Sequence, residues 1–338
     1  MGIDRFAVHN RPTFLPPSPT LFWPPTDVDK SVTLIRDLDQ ASQVARGGAI
    51  SIGNFDGVHR GHAVLLKQLR QLADEVGGPA VVLTFDPHPA SLLRPDQAPV
   101  PLTWIERRAD LLYRLGVDRV IACRPTAELL GLSATDFFQQ VIRERLDCQA
   151  MAEGPNFYFG KDRQGDVEML GQLCQRAAIP LRIVEPLDNQ GQMVSSTMVR
   201  AAIAEGQIEA ANAMLTAPYR ISGLVAVGSQ RGAGLGFPTA NLSDLKVLAP
   251  AAGVYAGKTW VGGTAYRAAI HIGPNLTFDE GQCKVEVHLL DFTGDLYGER
   301  LEVQFNRRVR GIVKFASVDD LRNQLGRDIA TVRNEPLS

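Results

Sequence analysis

Apolar positions fall along the chain in two textures. In the first half, short apolar runs alternate with helical periodicity. Ala49-Ile50-Ser51-Ile52 predicts a strand, and Leu65, Leu69, Leu72 and Val76 then recur at helical spacing until Gly77-Gly78 stop the helix. Ala80 to Phe85 (AVVLTF) is almost wholly apolar, as a strand buried on both faces should be. A helix from Ile105 to Leu115 and a strand from Asp118 to Cys123 come next. A helix opened by Ser133, with Asp136 three residues on, follows them. Strand Cys148 to Ala152, helix Asp166 to Ala178 and strand Leu181 to Val184 complete the alternation. Such alternation predicts a parallel sheet with helices on both faces, whose ligands bind beyond the carboxyl ends of the strands.

The chain then reads as helical from about Ser195 to Leu215. Beyond Pro218 come short β-type runs separated by Gly-rich turns: Tyr219 to Val227, Gly253 to Val261, Ala265 to Ile272, Lys284 to Asp291 and Leu301 to Phe305. That texture predicts an antiparallel barrel or sandwich, and Val318 to Ala330 closes the chain as an amphipathic helix. Prolines crowd residues 10–25 and exclude helix and central strand there. The expected organisation is a Pro-rich leader (1–44), an α/β domain (45–186), a helical connector (187–217) and a β domain (218–338).

Composition narrows the function classes. A chain of 338 residues is long enough for two cores. Lys+Arg 35 against Asp+Glu 37 gives a net charge of -2, so no global positive field draws nucleic acid. No apolar stretch reaches the roughly 20 residues of a membrane helix, and the N-terminus lacks a signal-peptide pattern. The four cysteines are scattered without a CxxC pair, which argues against a zinc site or disulfide framework and fits a reducing cytoplasm.

Candidate chemistry sits first at Ser51-Ile52-Gly53-Asn54-Phe55-Asp56-Gly57-Val58-His59-Arg60-Gly61-His62, where the first strand becomes a helix. Glycines let backbone approach a ligand, and the helix start favours an anion, so the segment suits phosphate. His59 and His62 are three apart and share a helix face, from which two imidazoles can donate to phosphate oxygens. The plainer reading is a tight turn carrying two surface histidines. The second constellation is Gly232-Ala233-Gly234-Leu235-Gly236-Phe237-Pro238-Thr239-Ala240-Asn241-Leu242. Its glycines can wrap phosphate, yet it is neither a Walker loop nor a dinucleotide fingerprint. Thr239 and Asn241, two apart in an extended segment, point one way and offer oxygen ligands for magnesium. In Val285-Glu286-Val287-His288-Leu289, Glu286 and His288 lie opposite the apolar face. Glu286 either projects into the small barrel, where a carboxylate needs a role or a partner, or faces solvent.

These segments together resemble the bifunctional prokaryotic riboflavin kinase/FAD synthetase family. GNFDGVHRGH is joined, in the family's order, by Thr84-Phe85-Asp86-Pro87-His88-Pro89 and by Gly154-Pro155-Asn156-Phe157-Tyr158-Phe159-Gly160. Ser195-Ser196-Thr197-Met198-Val199-Arg200, GFPTANL, Gly253-Val254-Tyr255-Ala256-Gly257 and VEVHLLDFTGDLYG follow. The resemblance covers residues 45 to 335. It implies a Rossmann-like nucleotidyltransferase domain followed by a Greek-key-like β-barrel with a terminal helix. Riboflavin, FMN and ATP would be the partners, flavins being substrate and product and Mg2+ accompanying ATP; oligomeric state is left open.

In the adenylyltransferase half the resemblance implies that His59 and His62 hold ATP phosphates and stabilise departing pyrophosphate, beside Gly53, Phe55, Asp56 and Gly57. Asn156 would meet phosphate or its magnesium, and Ser196, Thr197 and Arg200 would clamp the phosphates, Arg200 across the cleft. Read alone, Ser195 to Arg200 is equally an ordinary helix cap with an exposed arginine. Asp86, His88 and Pro89 would shape the flavin side. In the kinase half, Gly232, Gly234 and Gly236 would strap ATP, Thr239 and Asn241 hold its magnesium, and Glu286 act as general base. The chain departs from the family pattern at His271-Ile272-Gly273-Pro274-Asn275-Leu276-Thr277-Phe278, where NIGxxPTF is usual, at Arg310-Gly311-Ile312-Val313-Lys314-Phe315, and at Cys123-Arg124-Pro125. Activity of the adenylyltransferase half alone, or flavin binding without turnover, are the alternatives.

Overall fold

The computed structural model describes residues 33–337 apart from 186–192, 228–230, 235 and 276–279. The first half is a six-stranded sheet of β1 (Thr33–Ile35), β2 (Ala49–Ile52), β3 (Ala80–Phe85), β4 (Arg119–Cys123), β5 (Ala150–Glu153) and β6 (Leu181–Ile183). Every pairing is parallel and the order is β1-β4-β3-β2-β5-β6. Helices α1 (Leu38–Ala45), α2 (Arg60–Val76), α4 (Ile105–Tyr113) and α7 (Val167–Arg176) cover it, with the single turns α3 (Ala90–Leu93), α5 (Ala127–Gly131) and α6 (Ala134–Asp136) between them. Val81 and Leu83 pack toward α1, Val82 toward α2 and α4; this double burial is why β3 reads as a continuous apolar run. Ser133 caps the helix it was expected to open, which winds on as π-helix over Phe137–Arg145.

Residues 33–44, expected within the leader, join this sheet. Leu34 of β1 pairs with Val120 of β4, and α1 buries Leu38 and Ala41. The prolines end at Pro25, so nothing in 33–45 bars a strand and a helix. The Pro-dense segment 10–25 lies outside the described residues. Strand order matters more for function. The chain leaves β2 for β3 on one side and returns to β5 on the other, so the sheet reverses direction between β2 and β5. Open α/β sheets bind ligands at such a point.

The second half is a closed barrel in the order β10-β11-β8-β7-β12-β9, built from β7 (Arg220–Ala226), β8 (Ala240–Ser243), β9 (Gly253–Val261), β10 (Thr264–Asn275), β11 (Glu280–Leu289) and β12 (Arg300–Arg310). All its pairings are antiparallel, and the order is not sequential, as in a Greek-key-like barrel. A helical turn, α10 (Arg231–Gly234), precedes β8, and α11 (Val318–Arg333) lies outside on β9 and β10 through Val332 and Ile329.

The connector helices α8 (Ser196–Ala204) and α9 (Ile208–Met214) do not stand apart. Val199, Ile203, Ile208, Ala211 and Leu215 share one core with Tyr219 and Phe305 of the barrel and with Leu102 of the first half. Among the described residues no helix is long and apolar enough to cross a membrane.

Candidate active sites

The first site is built where β2 ends. Phe55, Gly57 and Val58 all have positive φ, and a Cβ on Gly57 would come within 2.9 Å of Leu102 Cδ1. Glycine is therefore required there, and the turn rests against the connector, with Thr216 Oγ1 donating to the Val58 carbonyl at 2.6 Å. His59 caps α2. Its Nδ1 accepts from the His62 N–H at 3.4 Å, which leaves the proton of the neutral ring on Nε2. The His59 and His62 rings stack at 3.6 Å, 20° from parallel, on one face as expected. They are not surface residues. Burial lowers the His59 pKa to about 4, with Asp56 opposing, and holds His62 well below the ordinary imidazole range, helped by His59 and Arg108. Both rings are neutral at pH 7, so each carries one ring N–H able to donate a hydrogen bond.

Asp56, expected among the phosphate ligands, has its carboxylate engaged elsewhere. It accepts from the backbone N–H groups of Leu102 and Thr103, from Arg108 at 3.3 Å and from Arg200 at 2.9 Å. It fixes two cations beside the turn; an anion would meet those guanidinium groups. The Arg200 side chain is only partly exposed. It lies on Asp56 and donates to the carbonyls of Val100 and Ser196. Ser195 is the α8 cap, and the Ser196 hydroxyl donates to the Asp56 carbonyl at 2.7 Å. Thr197 is exposed.

Arg108 was missed by sequence reasoning. Buried on α4, it donates to Thr103, Thr84, the Phe85 carbonyl and Asp56. The signal was present: Arg108 falls on the apolar stripe between Ile105 and Leu112, where a cation needs a buried partner.

Across the sheet's reversal point, Asn156 is exposed just beyond β5. Glu153 ends β5 and is buried. Its Oε1 accepts from Ile52 N at 2.7 Å, just past the last β2–β5 ladder pair, Ile50 with Met151. Burial raises its pKa well above the ordinary carboxylate range. On the other flank, His88 Nδ1 accepts from Ala90 N, its Nε2 lies 2.9 Å from the Asn54 amide, and Pro89 begins α3. Asp86 lies 3.6 Å from Arg36.

The second site lies on the barrel wall. Val285, Val287 and Leu289 fill the interior, so Glu286 is on the outer face and does not project inside. That face is not open to water, for the Glu286 side chain is only 16% exposed. Glu286 pairs in register with Asn241 of β8 on one side and with His271 of β10 on the other. Thr239 lies two residues before Asn241, just ahead of β8. His288 Nδ1 donates to the Pro238 carbonyl at 2.7 Å, and its ring meets Phe237 edge-on, which pins the residue before Thr239.

Gly232 begins a closed turn: Phe237 N donates to its carbonyl at 2.8 Å, and a Cβ on it would lie 2.5 Å from the Phe237 carbonyl oxygen. Gly236 has φ 89°, and a Cβ on Gly234 would meet nothing. The glycine loop thus opens with one turn of helix, Arg231–Gly234. Among the described residues no cluster of three or more His, Cys, Asp or Glu could hold a metal unaided. The hydroxyl of Thr239 and the amide oxygen of Asn241 fit a hard cation that brings phosphate and water oxygens with it.

Residues 41–198 match the family model for FAD synthetase, and residues 215–335 match that for riboflavin kinase. Proteins named bifunctional riboflavin kinase/FMN adenylyltransferase align along almost their whole length. That of Pseudomonas fluorescens is 36% identical over 301 residues, covering 89% of this chain and 96% of its own. That of Haemophilus influenzae is 35% identical, covering 89% and 98%, and that of Escherichia coli K12 is 34% identical, covering 89% and 96%. A crystal structure from Streptococcus pneumoniae, named a macrolide-efflux protein, has the same fold, with a TM-score of 0.80 at 30% identity over 90% of this chain and all of that one. With both halves matched in one chain, the protein belongs to the family of bifunctional riboflavin kinase/FMN adenylyltransferases.

Proposed function

We propose that the barrel phosphorylates riboflavin to FMN and the α/β domain adenylylates FMN to FAD with release of pyrophosphate, each half using its own ATP. Neither step needs a covalent intermediate on the enzyme; positioning and charge neutralisation carry both. In the barrel, Glu286 takes the proton of the riboflavin 5′-hydroxyl as that oxygen attacks the γ-phosphorus of ATP. Thr239 and Asn241 would hold the nucleotide's magnesium, which would neutralise phosphate charge, and the Gly232–Gly236 turn would bring backbone close to the phosphates.

In the α/β domain, the FMN phosphate attacks the α-phosphorus of ATP. His59 and His62 donate from neutral rings to the departing pyrophosphate, at the start of a 17-residue helix whose free N–H groups favour the same anion. Arg200 and Arg108 supply the positive charge, with Asp56 fixing where it sits. Asn156 and Thr197 lie open on either side to meet phosphate, while Asp86, His88 and Pro89 border the flavin.

The observation that carries this reading is the register row on the barrel wall, which sets Glu286 next to Asn241 among oxygen donors. Glu286→Gln should abolish FMN formation from riboflavin while FMN supplied directly still becomes FAD. Loss of both steps in a folded variant would break the assignment.

A further inference from the structure

The kinase site holds a titratable group that the reaction as described does not use. His271 lies in the same register row as Glu286, on the adjacent strand. Its Nδ1 is 3.4 Å from Glu286 Oε2, sealed from solvent, and makes no hydrogen bond. That nitrogen is therefore not anchored to a carbonyl. Nδ1 faces the carboxylate assigned as base. The side chain is 26% exposed, which gives the ring's far edge a route to water.

We propose that His271 is a positioning residue for Glu286 that also takes the proton Glu286 receives; this rests on the reading of Glu286 as the base. With the neutral ring's proton on Nε2, Nδ1 presents a lone pair to the carboxyl group. The 5′-hydroxyl proton passes to Glu286 as the O5′–phosphorus bond forms. The bond from γ-phosphorus to the ADP oxygen breaks, and its electron pair leaves on ADP. The proton on Glu286 then moves to Nδ1, giving a carboxylate beside an imidazolium, and leaves from the ring to water. Glu286 is returned to its basic form without waiting for water to reach a nearly buried oxygen.

This arrangement makes the kinase step sensitive to the charge of His271. An imidazolium formed beforehand has no lone pair at Nδ1 and cannot accept the proton, so only the neutral ring can relay it. The other charged groups on the surrounding elements are committed elsewhere. On α11, Asp328 holds Arg310 of β12, and Arg333 pairs with Asp291. On β11, Lys284 and His288 flank Glu286 two residues away on either side, with His288 donating to the Pro238 carbonyl. On β9, His271 faces the uncharged Val254.

The experiment is the rate of FMN formation by the full-length protein from pH 5.5 to 8 for wild type, His271→Asn and His271→Gln, with FMN-to-FAD turnover as the measure of folding. His271 variants should lose activity at high pH but lose less as pH falls. The variant-to-wild-type kcat ratio should rise about threefold or more as pH falls from 8 to 5.5, with the KM for riboflavin little changed. A ratio constant with pH overturns the proposal, since a purely structural role lowers all rates alike. A second readout needs no His271 variant. The NMR titration of the His271 ring should move when Glu286→Gln removes the facing charge, and an unmoved titration also overturns it. If Glu286→Gln itself retains full kinase activity, it is the assignment of the base that fails.

Discussion

Arg200 Nη2 lies 2.9 Å from Asp56 Oδ2, and the same carboxylate also receives Arg108 at 3.3 Å. One buried anion thus joins the turn after β2, helix α4 and helix α8 of the connector. Removing it leaves two guanidinium groups uncompensated, one of them deeply buried. Asp56→Ala should cost about 3–5 kcal/mol of stability, the range for breaking a buried pair from one side. Denaturant unfolding of the full chain measures this; a loss below about 1 kcal/mol, the value of an exposed pair, would contradict it.

The depressed histidines give stability a definite pH slope. A ring that titrates at 6.5 unfolded and about 4 folded binds fewer protons in the native state between those values. Stability from His59 is therefore full above pH 6.5 and lost as pH falls toward 4, by up to roughly 3 kcal/mol. His62 acts in the same direction. Unfolding free energies at pH 7.5 and 5 for wild type and His59→Asn test this. The variant should show the shallower dependence, and equal slopes would speak against neutral, buried rings.

Glu153 has the opposite sign. Its raised folded pKa means the native state holds the proton longer, so its contribution weakens as pH rises above the unfolded carboxyl range. Glu153→Gln keeps an acceptor for Ile52 N without the charge and should equal or exceed wild type in melting temperature at pH 8. Glu153→Ala orphans that N–H and should cost about 1–3 kcal/mol. A Gln variant as weak as the Ala variant would show that charge, and not the hydrogen bond, matters there.

Gly232→Ala sets a methyl 2.5 Å from the Phe237 carbonyl oxygen, a backbone atom that cannot swing away. The turn before Thr239 must open. The KM for ATP should rise several-fold in FMN formation, with FAD formation from FMN unaltered. Unchanged kinase kinetics would remove the turn from the ATP site.

Most of this architecture was legible in the residues because each device left a local mark. Continuous apolar runs marked strands buried twice, and alternation in Val285 to Leu289 marked a wall with two faces. What could not be read was which face was inside: the same alternation puts Glu286 in the barrel or on its surface, and only the filling of the interior by Val285 and Val287 decides. Asp56 and Arg108 illustrate a second limit. They are 52 residues apart, and an ion pair made by sheet and helix packing leaves no periodic trace. Closure of the barrel, and the fusion of the connector with its core, likewise depend on long-range contacts.

The claim on which the rest depends is that two separate sites act in succession. A chromatographic time course of flavins from riboflavin, ATP and magnesium, run on wild type, Glu286→Gln and the His59→Asn/His62→Asn double variant, tests it most directly. Wild type should build FMN and then FAD. Glu286→Gln should leave riboflavin untouched yet convert added FMN, and the double variant should accumulate FMN with FAD formation lowered at least about 100-fold. Failure of the folded Glu286→Gln variant to convert added FMN, or failure of the folded double variant to make FMN from riboflavin, would contradict the account.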